Sequence, residues 1–154
     1  MGKGCIFKSC SELDERQLLL RGNVFQHVVV LLFGLIFLNA MLKDCGVTWA
    51  EGKGENLIIF WAGAALGLCE FILRGLNPAG RRQGVLFGFF GLGGAVLAGL
   101  SLSHMLAEGQ PLLSGHMLTG TAVALIQGAA MLAIFFTYLG KTLYDRRTAA
   151  GDED

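Results

Sequence analysis

The sequence predicts an all-α integral membrane four-helix bundle with both termini in the cytoplasm. Three observations lead there. Four long apolar runs alternate with short polar stretches. The chain is 53% hydrophobic and only 16% charged, where a soluble domain carries about 25% charge. Its cations gather on one side of the runs. Mean hydropathy is +0.57, and 154 residues leave room for four spans of about 20 residues each. No Pro/Ser-rich linker divides the chain, and its net charge of zero provides no field for nucleic acid.

Residues 1–23 form a polar cytoplasmic lead. Ser11-Glu12-Leu13-Asp14 is a capping signature, because a hydroxyl can accept from the N–H three residues on and acids suit the positive end of a helix. A short amphipathic helix is expected after it, lying against the membrane or running into the first span. That span covers residues 24–42. Its apolar centre, residues 28–38, follows more than twenty residues and precedes Asn39-Ala40-Met41, a poor cleavage site, so it reads as a retained span rather than a signal peptide. A loop of balanced charge follows, with Lys43, Asp44, Glu51, Lys53, Glu55 and an interfacial Trp49. The second span covers 56–73. It stops at Arg74-Gly75-Leu76-Asn77-Pro78-Ala79-Gly80-Arg81-Arg82, where Pro removes an N–H and Gly frees the backbone. The third span covers 84–106. A second outer loop, residues 107–114, holds Glu108 and Pro111. The fourth span covers 115–139 and completes a membrane domain over 24–144. Residues 145–154 form a cytoplasmic tail.

Orientation follows from the cations. The lead, central turn and tail hold Lys3, Lys8, Arg16, Arg21, Arg74, Arg81, Arg82, Lys141, Arg146 and Arg147. The other two loops hold Lys43 and Lys53. Short loops rich in Lys and Arg stay on the cytoplasmic side, so the sequence predicts an N-in, C-in protein. A bias of this size argues against dual topology. The same arginines, Arg16 and Arg21 above all, are candidates for contact with anionic lipid phosphates.

The two halves also align. Residues 38–44 can be laid on 102–108; after a one-residue gap Gly63-Ala64-Ala65-Leu66 falls on Gly128-Ala129-Ala130-Met131, and Gly75 on Gly140. This predicts a parallel two-plus-two repeat of helical hairpins about an axis along the membrane normal. Small residues recur at four-residue steps: Gly63 and Gly67; Gly84 and Gly88, continued by Gly91, Ala95 and Gly99; and Gly120, Ala124 and Gly128. Such stripes let helix backbones approach where lipid removes the hydrophobic drive. Span one has only Gly34. Spans two to four are therefore expected to form the tight core, with span one at its edge.

Glu70 is the only acid well inside a span, and an ionised carboxylate there must be paired or hydrated. Arg74, four residues on, can meet it on a helix. The bland reading is an interfacial ion pair. The functional one is a proton or cation site shared with His27, at similar depth in span one. Gln127, near mid-span, is expected to act as interhelical glue, and Asn39 and Ser103 to reach outer water or backbone. His104, Glu108 and His116 flank the second outer loop without a compact zinc spacing. The cysteines at 5, 10, 45 and 69 make neither a disulfide framework nor a zinc pattern, and Cys69 reads as packing. Ile6 stands where an N-myristoylation signal wants Ser or Thr.

Asp14-Glu15-Arg16-Gln17, followed by Arg21 and a hydrophobic span, resembles a loose group of small uncharacterised bacterial four-span membrane proteins that open with a cytoplasmic D-E-R-Q segment. The likeness covers about ten residues of sequence and, beyond them, hydropathy. It implies the topology and the inner-membrane address, not a mechanism.

No P-loop, G-x-S-x-G, H-E-x-x-H or dinucleotide fingerprint is present in the sequence. No catalytic residue, cofactor or metal is therefore expected. The sequence predicts a non-enzymatic accessory, scaffold or regulatory membrane subunit whose partners are membrane lipids and another copy or another membrane protein, with no nucleic acid. The alternative is a small-solute or proton-coupled transporter or channel using Glu70 and His27. A redox protein would need clustered thiols.

Overall fold

The computed structural model describes residues 15–76 and 81–151, with the side chains of 81, 82 and 149–151 left aside. The capping signature at 11–14, Cys5 and Cys10 lie outside the described residues. Four helices make up the fold: α1 (Glu15–Asp44), α2 (Gly54–Leu73), α3 (Arg81–Glu108) and α4 (Gly120–Gly151). Each is long and apolar enough to cross a membrane.

Helix α1 takes in the polar residues from Glu15 as well as the expected span. Between 15 and 44 no proline intervenes, and extending an existing helix adds one hydrogen bond per residue fixed. At 30 residues it is about 45 Å long, more than the roughly 30 Å hydrocarbon core it would cross. Helix α4, with 32 residues, reaches about 48 Å. Its final turns carry a Lys141–Asp145 pair at 2.8 Å.

The beginning of the fourth helix needs correction. Residues 115–118 were expected to be span; instead Leu113–Ser114 and Met117–Leu118 pair as a small antiparallel hairpin, an addition to an otherwise all-α fold. Gly115 opens its two-residue loop with φ 64, and a glycine at that first position suits a tight hairpin turn. Helix α4 starts after Thr119, whose hydroxyl accepts from the Ala122 N–H at 3.4 Å, as an N-cap residue does. Glu51 Oε2 accepts from the Gly120 N–H at 3.3 Å. It places a carboxylate at the positive helix end.

The helices run alternately up and down. The 45–53 loop and the hairpin meet at one end: Leu118 N–H donates to Trp49 O at 2.8 Å and Glu51 N–H to Leu118 O at 2.9 Å. At the other end, Arg21 reaches Leu76, and Phe87 of α3 stacks on Tyr138 of α4 at 4.4 Å. Helix α1 packs mainly on α2, α2 on α4, and α4 on α3. A core of Ile72, Phe87 and Ile134 joins the last three helices, and Trp61 meets Phe90 edge-on.

The glycines divide differently from the stripes in the sequence. A Cβ on Gly63 or Gly67 would strike Leu32 or Val28, so this pair admits α1 and does not face the α2–α4 core. Gly88 and Gly120 have open space where a Cβ would stand, and at Gly84 a Cβ would make only ordinary contact with Tyr138. These three are not close-approach points among the described residues. Close backbone contact occurs at Gly94 and Gly128. A Cβ on Gly128 would lie 2.9 Å from Ala98 N and 3.0 Å from Gly94 O. Gly34 meets nothing.

Candidate functional site

The α1–α2 pair carries a polar cluster at each end. Toward the basic end, Gly67 lets Val28 seat against α2, and the adjoining turn brings His27 to Glu70. His27 Nδ1 lies 2.9 Å from Glu70 Oε1 and 3.1 Å from Oε2. An ionised carboxylate can only accept, so the hydrogen-bonded imidazole carries its proton on Nδ1. Arg74 Nη2 contacts the same Oε1 from one turn further along α2. The side chain of Glu70 is 18% exposed and that of His27 54%; the carboxylate is thus sheltered between two donors while the imidazole stays open. Chemically the cluster can hold one negative charge against a guanidinium and pass a proton through an accessible ring.

Six residues before His27, Arg21 closes the end of α2. Its Nη2 donates to Leu76 O at 3.3 Å, and its guanidinium lies 5.5 Å from the Phe71 ring centroid, within cation–π range. Its Nε is buried and has no partner among the described residues. Beside it opens an apolar groove of about 430 Å³ between α1, α2 and α3, lined among others by Val24, Leu32, Phe60, Phe71, Gln83 and Phe87. The groove exists because α1 leans on α2 while α3 leans on α4, which leaves a gap beside α2.

The far-end cluster was not anticipated. Lys43 Nζ lies 2.8 Å from Glu55 Oε2, and the Glu55 side chain is 3% exposed. Glu55 Oε1 accepts from the Trp49 N–H at 3.2 Å. Trp49 is not a simple interfacial aromatic: its Nε1 donates to Asn39 Oδ1 at 2.7 Å. Asn39, expected to reach outer water or backbone, is instead buried. Gly54 beside Glu55 has no room for a Cβ, which would lie 2.7 Å from a Val123 methyl. The carboxylate is therefore enclosed by close packing. Lys43 and Glu55 read as two members of a sign-balanced loop; only the chain's return through 45–53 brings them together.

The other candidates stay apart. Gln127 is half-buried and makes no side-chain hydrogen bond among the described residues. Ser103 donates to Leu100 O at 2.8 Å, a backbone partner. His104 pairs with Glu108 at 2.9 Å, and among the described residues no group of three His, Cys, Asp or Glu could hold a metal. The Thr137 hydroxyl lies 3.4 Å from Cys69 Sγ, and Cys45 and Cys69 are free thiols. Arg16 is exposed, and Arg81 and Arg82 open α3.

Four apolar helices of spanning length, joined by ionic and amide contacts near their ends, point to a multi-pass membrane protein with a helical bundle. Comparison with known proteins finds no matching family model, no matching curated protein and no matching solved structure.

Proposed function

We propose that the chain is a non-enzymatic accessory, scaffold or regulatory subunit of a bacterial inner membrane, with both termini cytoplasmic. The observation that carries this reading is how its interhelical ionic groups are used. His27 with Glu70, and Lys43 with Glu55, each join α1 to α2, and each pair lies toward an end of the bundle. They fasten helix to helix. Meanwhile α1 leaves Phe25, Phe33, Ile36 and Phe37 exposed, an apolar face suited to lipid or to another membrane protein. Extraction from native membranes, followed by mass spectrometry of what co-elutes, tests this: a stoichiometric membrane-protein partner is expected. A chain that elutes with lipid alone and conducts solute would overturn it.

Orientation is supported by the cations. Arg21 and Arg74 lie at the end of the α2–α3 turn, whereas Lys43 lies beside the 45–53 loop. A periplasmic alkaline-phosphatase reporter should be silent after Asp154 and active when inserted at Gly109; the reverse pattern would refute the N-in, C-in topology. The two-plus-two repeat is supported by the packing order, which is symmetric when α1 is exchanged with α3 and α2 with α4. The aligned glycines Gly63 and Gly128 both face the helix preceding their own.

The second reading, a proton-coupled transporter or channel, is favoured by one observation: the exposed imidazole of His27 touches the sheltered carboxylate of Glu70. It expects pH-dependent solute flux into liposomes that falls to background in Glu70→Gln. Absence of flux across a broad solute panel would sink it.

A further inference from the structure

We propose that the groove beside α2 holds an acyl chain of an anionic phospholipid from the leaflet at the basic end, with the lipid phosphate on Arg21. This rests on the membrane-spanning reading above and adds a ligand class and a site to it. Length is the first argument. The lining runs from Phe60 to Phe71 along α2 and from Val24 to Leu32 along α1, about 16 Å and 12 Å of helix. That matches one leaflet, half of a hydrocarbon core of roughly 30 Å. The groove thus begins at the basic end and stops near the middle, as a single tail would.

Lining is the second. Val28, Leu32, Ala64 and Leu68 give the groove of about 430 Å³ apolar walls, which offer a tail dispersion contacts along its length. Charge is the third. Arg21 is held at the groove's basic end by Phe71, itself a lining residue, and by Leu76 O. Its Nε is buried, but the side chain as a whole is only half-buried, so the outer part of the guanidinium is left for a phosphate oxygen. A guanidinium fixed on an aromatic face suits that role. Arg74, by contrast, is committed to Glu70. Gln83 supplies one amide to the lining, and the remaining walls are apolar, as a tail requires.

The experiment uses the full chain in mild detergent, offered phosphatidylglycerol or phosphatidylcholine of identical acyl chains and read by native mass spectrometry. Phosphatidylglycerol should be retained about fivefold better, the preference expected from one cation near a lipid headgroup. Arg21→Gln should abolish that preference while total retained lipid persists. Equal retention by the unaltered protein, or a preference that survives Arg21→Gln, overturns the assignment. A second measurement needs no variant at Arg21: phosphatidylglycerol with a photoactivatable tail should label residues 60–71 in preference to the outer face of α3. Labelling spread evenly over all four helices overturns it, as does quantitative disulfide dimerisation of Phe60→Cys, which would put a second copy in the groove. A chain that leaves the membrane without detergent would defeat the spanning reading itself, before any lipid is offered.

Discussion

Gly128→Ala should destabilise the protein by about 3 kcal/mol or more, the upper end of what overpacking a core costs. The added methyl would stand 2.9 Å from Ala98 N and 3.0 Å from Gly94 O. Both are backbone atoms of α3, so no rotamer change can relieve the contact. The two helices must separate, and separation forfeits the dispersion contacts that hold helices together in lipid. Gly94→Ala should behave alike, because its Cβ would meet Gly128 O at 2.9 Å and Leu132 N at 3.0 Å. Gly34→Ala and Gly88→Ala meet open space and should be neutral, or gain up to about 1 kcal/mol from alanine's better helix propensity. Reversible unfolding in mixed micelles checks the series. A Gly128→Ala protein as stable as Gly34→Ala would show that α3 and α4 do not touch backbone to backbone. Gly63→Ala and Gly67→Ala should fall between, since their obstacles are the flexible ends of Leu32 and Val28.

The second large effect is expected at the far end. Lys43→Ala should cost about 2 kcal/mol, below the range for a pair with both ions buried because water already screens the lysine. The carboxylate it leaves behind is 3% exposed, whereas Lys43 itself is 48% exposed. The asymmetry makes a directional forecast: the lysine can return to water and the glutamate cannot. Glu55→Gln should therefore cost less than Lys43→Ala, because the amide keeps an acceptor for the Trp49 N–H and no charge is stranded. Adding Glu55→Gln to Lys43→Ala should recover part of the loss, a coupling that a double-mutant cycle reads directly. Strict additivity of the two substitutions would mean that the pair does not form.

Much of the helical architecture is legible in composition and periodicity, because a spanning helix must satisfy its own backbone and be apolar for its whole length. The Glu70–Arg74 spacing is legible too, since four residues is one helical turn. The boundary of α4 was missed because Gly115–Leu118 is apolar enough to pass as span; the signal that could have revealed the hairpin was Ser114-Gly115, a glycine at a turn position between short apolar pairs. Asn39 and Glu55 were missed for another reason. Trp49, the partner of Asn39, lies within the 45–53 loop and Lys43, the partner of Glu55, lies across it, and no local pattern specifies how that loop folds back.

Four apolar helices, the breaks between them and the segregation of cations can be read directly along the chain, because each depends on short-range chemistry: hydropathy, helix-breaking residues and charge. Which glycines bring backbones together, which carboxylate is enclosed and where a groove opens beside α2 emerge only once the helices are packed. Those depend on the rotation and tilt of each helix against its neighbour. Two stripes with the same four-residue spacing, Gly63/Gly67 and Gly84/Gly88, end in different surroundings because spacing sets a face of a helix but not what that face meets.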